Sequence, residues 1–468
     1  MTGRSEPGPV VLRGVTVVNP RDGSLTPDMD VALADGRIAA VTPTRDPADA
    51  PAAATTIDAA GKFVVPGFLE MHTHVLGEKD TARDLKLLLD TGVTGFRLMG
   101  GSDKLLKERR DGTLPWADDT ADDTPELLAM PGAVLNPANA GTVKAAVTTI
   151  REQHAAGADF IKAALVSSEV FFAAQAEARR LGLPIVGHLP AGIDVRLASR
   201  GGMRSIEHLG PGTGVLAGCS TEEAEIRAAL NAGPGMKAPP FRIPFADKVM
   251  GPIIRKLVMN PVLHNSPLAV QMLRRAIDTF DQGRAEELAA AFVADGTWHC
   301  PTLIRERTSE LSDAAEFRDD PNLRLMDTDT VTRWRAAADR FGALPADTKA
   351  TYRDAYDLQL RLTKLLDDAG VKLLAGSDSC GAVWEVPGYS LHQEFDELAR
   401  AGLAPLRVLQ TVTLDAAEFL GRTSTLGTVE PGKQADLVLL DANPVESVQH
   451  LHGLAGVVRA GRYHPAAA

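Results

Sequence analysis

The chain has 468 residues, with 49 Lys plus Arg against 61 Asp plus Glu and a formal net charge of −12. Apolar residues make up 44% and charged residues 24%, which excludes a wholly disordered chain and provides material for a large core. An acidic chain with no basic block argues against nucleic-acid or anionic-membrane partners, because both need clustered cations. Length alone suggests about three units of about 150 residues, although a single barrel can exceed 250. The three cysteines, Cys219, Cys300 and Cys380, lie far apart and are odd in number. They make neither a disulfide framework nor a cysteine zinc module. The start lacks the apolar stretch of a signal peptide, and no run approaches 18 apolar residues. A soluble, cytoplasmic protein is expected.

In chain order, the first 65 or so residues read as β structure. VVLRGVTVVNP, MDVALADGRIAAV and TTIDAAGKFVVPG are short β-branched runs separated by Asn-Pro, Asp-Gly and Ala-Gly turns. The centre alternates apolar runs with helical stretches, the pattern of βα units around a parallel sheet. Eight strands are predicted, at FVVPGFLEMH, GVTGFRLM, GAVLNP, DFIKAALV, PIVGHL, MRSIEHL, GTWHCPTL and VKLLAGSDS. Helices are expected from Ser167 or Ser168 to Gly182, over LHQEFDELARAG, and from Pro405 to Gly421. The connections at 209–296 and 303–370 are too long for simple loops and carry helical patterning, so added helices are expected there. The last 40 residues return to β patterning. The reading is an α/β protein: a (β/α)8 TIM-like barrel at 67–423, with a small β-sandwich domain formed from both termini, 1–66 and 424–468.

The strongest local signal is PGFLEMHTHV. His72 and His74 stand two apart at the carboxyl end of an apolar strand, where alternation puts both imidazoles on one face. Alone, this pair is weak evidence against two ordinary histidines. Lys162 lies in an otherwise apolar strand, where a cation is costly unless paired, modified or bound. His188, His208 and Asp378 close three further strands. Catalytic groups of such barrels come from the carboxyl ends of several strands. A core histidine, a snorkelling lysine or a capping aspartate explains each residue separately, whereas one metal centre explains all six.

This constellation resembles the amidohydrolase superfamily of metal-dependent hydrolases. The resemblance covers nearly the whole chain: VVPGFLEMHTH, the FIK strand, the GH and IEH strand ends, GSDS, and the return TVTLDAAEFLGRTSTLGTVEPGKQADLVLLDANPVESV. The chain looks most like the imidazolonepropionase-related branch that includes Xaa-Arg/Lys and prolidase-like dipeptidases. The resemblance implies two divalent metal ions, zinc first and Mn, Fe or Co as substitutes. His72, His74 and Asp378 would hold one ion and His188 and His208 the other, with N6-carboxylated Lys162 bridging them. A bridging hydroxide would attack, and Asp378 would carry its proton to the leaving amine. The superfamily's mononuclear deaminases carry His-x-x-Glu at the fifth strand. Here His188 is followed by Leu189, Pro190 and Ala191, which favours the binuclear hydrolase.

Arg97, Tyr389 and His392 are candidate substrate contacts, with a structural salt bridge for Arg97 and helix-start packing for His392 as the plain alternatives. Glu394 borders the same segment, with a solvated charge as its plain reading. His299 reads as a packed histidine, and Cys380 as a small apolar residue. The stretch KAPPFRIPFADKVMGPIIRKL, with Lys237, Arg242, Lys248, Arg255 and Lys256, has the composition of an apolar lid with a cation for a substrate carboxylate. An amphipathic helix with a wet basic face is its plain alternative. The expected substrate is a small amide or peptide: an N-acyl amino acid, a dipeptide or a relative with a bulky apolar part. Alternatives are a carbamate, lactone or phosphotriester hydrolase, then a deaminase, then an inactive scaffold. The resemblance also implies a homo-oligomer.

Overall fold

The computed structural model describes residues 9–44, 55–77, 80–114, 123–210, 212–233 and 257–466. The basic stretch at 237–256, read above as a lid, lies outside them.

Strands β1 (Val10–Val18), β2 (Leu25–Ala34), β3 (Arg37–Pro43), β4 (Thr55–Asp58) and β5 (Phe63–Pro66) come from the amino-terminal segment. The β2–β3 turn uses Asp35 and Gly36, both left-handed at φ 51° and 69°, as a tight two-residue hairpin requires. From the other end, β13 (Leu437–Leu440), β14 (Leu454–Arg459) and β15 (Arg462–Pro465) complete an eight-stranded sheet, with β13 antiparallel to β5. β1 joins its halves, pairing β4 through Val10–Arg13 and β5 through Thr16 and Val17.

Alternation along β13 explains its uninterrupted Leu-Val-Leu-Leu. Leu437 and Leu439 pack with Val15, Val31, Leu33, Ile38 and Val64 inside the terminal sheet. Val438 and Leu440 point the other way, onto Phe68, Phe96 and Phe395 of the barrel. A strand buried on both faces has no polar side to show. Burying four such residues contributes several kcal/mol of apolar transfer energy, at about 1.5–3 kcal/mol for each Val or Leu.

The barrel strands are β6 (Phe68–Thr73), β7 (Val93–Leu98), β8 (Glu126–Ala129), β9 (Ile161–Ala163), β10 (Ile185–Gly187), β11 (Met203–Glu207) and β12 (Trp298–Cys300). Parallel pairing links β6 to β7 to β8, and β9 through β12 in sequence order. Backbone hydrogen bonds join these two groups on both sides. Asp159 N donates to Met130 O (3.0 Å) and Leu135 N to Lys162 O (2.9 Å) on one side. On the other, His299 N donates to Lys372 O (3.0 Å), Met71 N to Ala375 O (3.1 Å) and Asp378 N to His72 O (2.7 Å).

Two predicted strands are corrected in detail. The regular third strand is Glu126–Ala129; after it, Pro131 and, within GAVLNP, Leu135 make only isolated bridges, because Pro131 and Pro137 lack ladder donors. The VKLLAGSDS segment likewise bridges only through Leu373 and Ser379, because Asp378 turns left-handed at φ 62°.

Helices fill the layer outside. Ser168–Arg180 begins where expected: the Ser167 hydroxyl accepts from Val170 N, and Gly182 leaves the helix at φ 72°. The run expected from Pro405 to Gly421 is two helices, Pro405–Val412 and Leu414–Phe419. It breaks at Thr413, whose hydroxyl bonds Leu409 O at 2.6 Å, a side-chain competition with helix hydrogen bonds. The long connections carry Glu223–Ala232, Pro267–Asp278 and Gln282–Asp295, then Leu303–Glu310, Thr328–Gly342 and Ala346–Asp368. Among the described residues no helix is long and apolar enough to cross a membrane.

Candidate metal centre

The carboxyl ends of the barrel strands meet at Asp378. Its Oδ1 lies 2.9 Å from His72 Nε2 and 3.1 Å from His74 Nε2. Lys162 Nζ stands 3.1 Å from His72 Nε2 and 3.5 Å from His74 Nε2. His208 Nε2 is 3.8 Å from Asp378 Oδ2, and its ring lies 4.7 Å from that of His72 and 5.0 Å from that of His188. All six residues singled out from the sequence therefore gather at one place. His72, Lys162, His208 and Asp378 are buried, while His74 and His188 are partly exposed.

The backbone bends sharply to present them. His208 and Leu209 after β11, Thr302 after β12, and Asp378 all hold left-handed conformations, at φ 57°, 50°, 46° and 62°. Non-glycine residues seldom adopt this region, and such strain concentrates at functional sites.

Burial favours neutral rings at His74, His188 and His208 beside the carboxylate of Asp378. Burial, then Lys162, lowers the pKa of His74 to about 4 and that of His188 to about 3. Burial also drives His208 well below its ordinary value. Lys162 is lowered by burial despite the attraction of Asp378 and Glu207. For Asp378, burial alone would raise the carboxyl, but His72 and His208 and the hydrogen bonds of His72 and His74 hold it well below the usual range. Imidazoles with free lone pairs, a carboxylate and an amine form a nitrogen–oxygen donor set that suits a divalent cation of the zinc class. The ligand atoms of His72, His74 and Asp378 lie within 4.8 Å of one another. His72, Glu207 and Cys300 form a second convergent trio. There, however, His72 Nδ1 and Glu207 face each other at 2.8 Å, and burial raises the Cys300 thiol well above its ordinary value.

The three candidate substrate contacts have the following partners in the structure. Arg97 is buried, with its Nε on Met71 O (2.5 Å) and its Nη2 on Glu207 (3.1 Å); the expected salt-bridge alternative describes it. His392 Nε2 lies 2.8 Å from Thr91 O, at the opposite end of β7, with its ring against Phe68 and Phe395. Tyr389 opens the helix Tyr389–Arg400 and packs on the cluster of Ile304, Trp384 and Val386. Glu394 is not solvated: it is buried and accepts from Ile304 N at 2.8 Å. His299 packs 4.6 Å from the Phe292 ring, and Cys380 Sγ is 3.8 Å from Asp84.

Sequence reading passed over the groups behind the ligands. Glu207 adjoins His208 in IEHL and contacts His72. Glu70 precedes His72 by two residues and accepts from His72 N (2.9 Å), Ser377 N (3.0 Å) and the Ser377 hydroxyl (2.7 Å), which ties β6 to the Asp378 segment. The available signal was a glutamate inside an apolar strand, which Glu70 and Glu207 share with Lys162. Arg305 and Thr302 follow β12 in a stretch with no motif.

The Amidohydrolase family model matches residues 359–462, the span from the last barrel helices into the terminal sheet. Over that span the chain carries a domain of the amidohydrolase family. Among curated proteins, the adenine deaminase of Rubrobacter xylanophilus is 32% identical over 145 residues, 28% of this chain and 24% of that enzyme. The adenine deaminase of Paracoccus denitrificans is 44% identical over 69 residues, 15% and 11% of the two chains. The imidazolonepropionase of Treponema denticola is 40% identical over 55 residues, 12% and 13%. These matches take in less than two thirds of each relative. Among solved structures, bottromycin amidohydrolase aligns over 97% of this chain and 87% of its own, at TM-score 0.66 and 24% identity. A Xaa-Pro dipeptidase aligns over 98% and 100%, at TM-score 0.61 and 15% identity. At such identities these amidohydrolase likenesses speak for the fold.

Proposed function

We propose that this amidohydrolase is a binuclear metal-dependent hydrolase of the imidazolonepropionase-related, prolidase-like branch, cleaving the C–N bond of an N-acyl amino acid, a dipeptide or a similar small amide. The observation that carries the reading is the place of Lys162. Its Nζ is 3.1 Å from His72 Nε2 and 3.5 Å from His74 Nε2, beside the carboxylate of Asp378. A plain ammonium can donate to these imidazoles, but keeping its charge in so buried a site is costly, and burial lowers its pKa. As an N6-carbamate it would become an anionic oxygen ligand bridging two ions, with His72, His74 and Asp378 at one and His188 and His208 at the other. Bound divalent metals, zinc in the first instance, supply Lewis acidity and an acidified water at neutral pH. The chain's own work is then positional and protolytic. His72 and His208 are held from behind by Glu207 and Thr302 (2.8 and 2.6 Å). Asp378 accepts the proton of the attacking water and returns it to the leaving amine nitrogen.

The deaminase relatives raise a second reaction, hydrolytic loss of ammonia from an aminated heterocycle. Against it stands Ala191, three residues after His188, where the superfamily's mononuclear deaminases place the glutamate that carries protons.

The test is direct. The protein reconstituted with zinc is assayed for metal content and for hydrolysis of N-acyl amino acids and dipeptides, beside lactones, phosphotriesters and adenine. Two equivalents of metal and chelator-sensitive amide cleavage are expected. Ammonia release from adenine with one metal would replace this reading with a deaminase, and lactone or phosphotriester turnover alone would change the bond. A native protein that binds no metal would point to a scaffold.

A further inference from the structure

We propose that the flank of the centre formed by Glu306, Glu310 and Gln359 receives a cationic group of the substrate, an ammonium or a guanidinium, and so selects which amide is cleaved. The proposal rests on the hydrolase reading for the reaction, and on the geometry of this flank for the charge. Glu306 and Glu310 stand four residues apart on the helix Leu303–Glu310, which places both carboxylates on one face. That face meets the centre: Glu306 Oε1 lies 4.0 Å from His208 Nδ1, and its side chain keeps 13% of its surface open to solvent. Glu310 lies deeper and is 3% exposed.

Gln359, on the helix Ala346–Asp368, closes the other side. It too is 3% exposed, and its Nε2 points at Glu310 Oε1 from 3.5 Å. The remaining atoms of the pair, Gln359 Oε1 and Glu310 Oε2, have no hydrogen-bonding partner among the described residues. Asn260, whose Nδ2 donates to Ser309 O at 3.2 Å on the same helix, leaves its Oδ1 equally bare. Each of these oxygens is an acceptor, and a buried acceptor without a donor is costly. Two carboxylates four residues apart on a helix also repel. The neighbouring cation is already engaged. Arg305 Nε is 3.2 Å from Asp378 Oδ2, its Nη2 donates to Val258 O at 2.5 Å, and its Nη1 is 3.7 Å from Glu385. Among the described residues no Lys or Arg nitrogen lies within 4.0 Å of Glu306 or Glu310. A ligand that brings only donors and positive charge answers every one of these demands: an ammonium carries three N–H groups and a guanidinium five. A substrate carboxylate would meet like charge here.

The experiment assays the zinc-loaded full chain on pairs of amides alike in shape and different in charge. The pairs are N-acetyl-arginine with N-acetyl-citrulline, N-acetyl-lysine with N-acetyl-norleucine, and alanyl-leucine with its N-acetyl derivative. A preference in kcat/KM of about 10–100-fold for the cationic member of at least one pair is expected. The first two pairs place the charge on a side chain and the third on a free α-amine. Glu310→Gln keeps the shape and removes the charge. It should abolish most of that preference while leaving turnover of the neutral member near the wild-type value, a change in selectivity that a merely loosened fold does not produce. Glu306→Gln is measured beside it and should do the same. Equal turnover within every pair by the wild type overturns the proposal, whether or not a variant folds, and leaves the hydrolase reading standing. Variants that keep the wild-type preference overturn it too. Where no amide is cleaved, calorimetric titration of the metal-free protein with butylammonium, butylguanidinium and butanol decides. Cation binding that exceeds butanol binding and is lost in Glu310→Gln supports the pocket and refutes the hydrolase reading instead, whereas no preference for the cations refutes the pocket.

Discussion

Arg305 Nε lies 3.2 Å from Asp378 Oδ2, while the other oxygen of that carboxylate faces His72 and His74 at 2.9 and 3.1 Å. The two oxygens thus have separate partners, one toward the ligand set and one toward a fixed cation. The guanidinium is itself held, with Nη2 on Val258 O at 2.5 Å and Nη1 3.7 Å from buried Glu385. Arg305→Met frees Asp378 to rotate. The expected result is a fall in kcat of about 10–100-fold on the best amide substrate, with a smaller change in KM. Arg305→Lys should recover only part, because one ammonium cannot reproduce the planar fork. Steady-state kinetics of the two variants decide the matter; unchanged kcat in Arg305→Met would remove Arg305 from the reaction.

Lys162 carries the binuclear reading, so its chemistry is open to direct measurement. Lys162→Met should bind fewer equivalents of zinc than the wild type and lose amide hydrolysis. Reconstitution in buffer freed of CO2 should give weak activity that bicarbonate restores. Metal analysis and intact-mass measurement under native conditions check both, the latter by the added mass of one CO2. Activity independent of bicarbonate, with an unmodified lysine, would leave Lys162 as an amine.

Gly376 stands directly behind His72. A Cβ there would lie 2.6 Å from His72 Cβ and 2.8 Å from Cys300 Sγ. Gly376→Ala must therefore push the His72 backbone or the Cys300 side chain out of a close-packed interior. Overpacking of this kind costs about 1–3 kcal/mol. We expect a lowered Tm together with weaker zinc binding, read by thermal unfolding with and without metal. A variant equal to the wild type in both would show that this contact relaxes freely.

His299 offers a pH test outside the candidate site. Its ring is buried against Phe292 (4.6 Å), and neither nitrogen has a hydrogen-bonding partner among the described residues. Burial lowers its pKa from 6.5 to about 3. A histidine depressed on folding leaves full stability above its unfolded pKa and loses it as pH falls toward the folded value. His299→Leu removes that loss. Its stability relative to the wild type should therefore grow between pH 6.5 and 3, by up to about 1.4 kcal/mol per pH unit. Urea unfolding across that range is the check, and a constant difference between the two proteins would contradict the assignment.

Much of this molecule is local in origin, and local features are legible. The hairpin at Asp35-Gly36, the cap at Ser167 and the apolar run Leu437–Leu440 each follow from spacing and residue type. So do the six strand-end residues, because a barrel makes the ends of distant strands equivalent and chain order alone names them. What the sequence could not decide were the contacts across the barrel. Arg97 belongs to Glu207 rather than to a substrate, since only the closed arrangement brings β7 and β11 to the same side of His72. His392 lies two residues from Glu394 in sequence, yet it meets Thr91 at the far end of β7, because the helix Tyr389–Arg400 runs along the barrel wall. Arg305 reaches Asp378 through a helix that no motif marks. Periodicity and turn chemistry act over a few residues and so fix the elements and their ends. Which charge faces which in the buried interior depends on the three-dimensional path of segments many tens of residues apart or more.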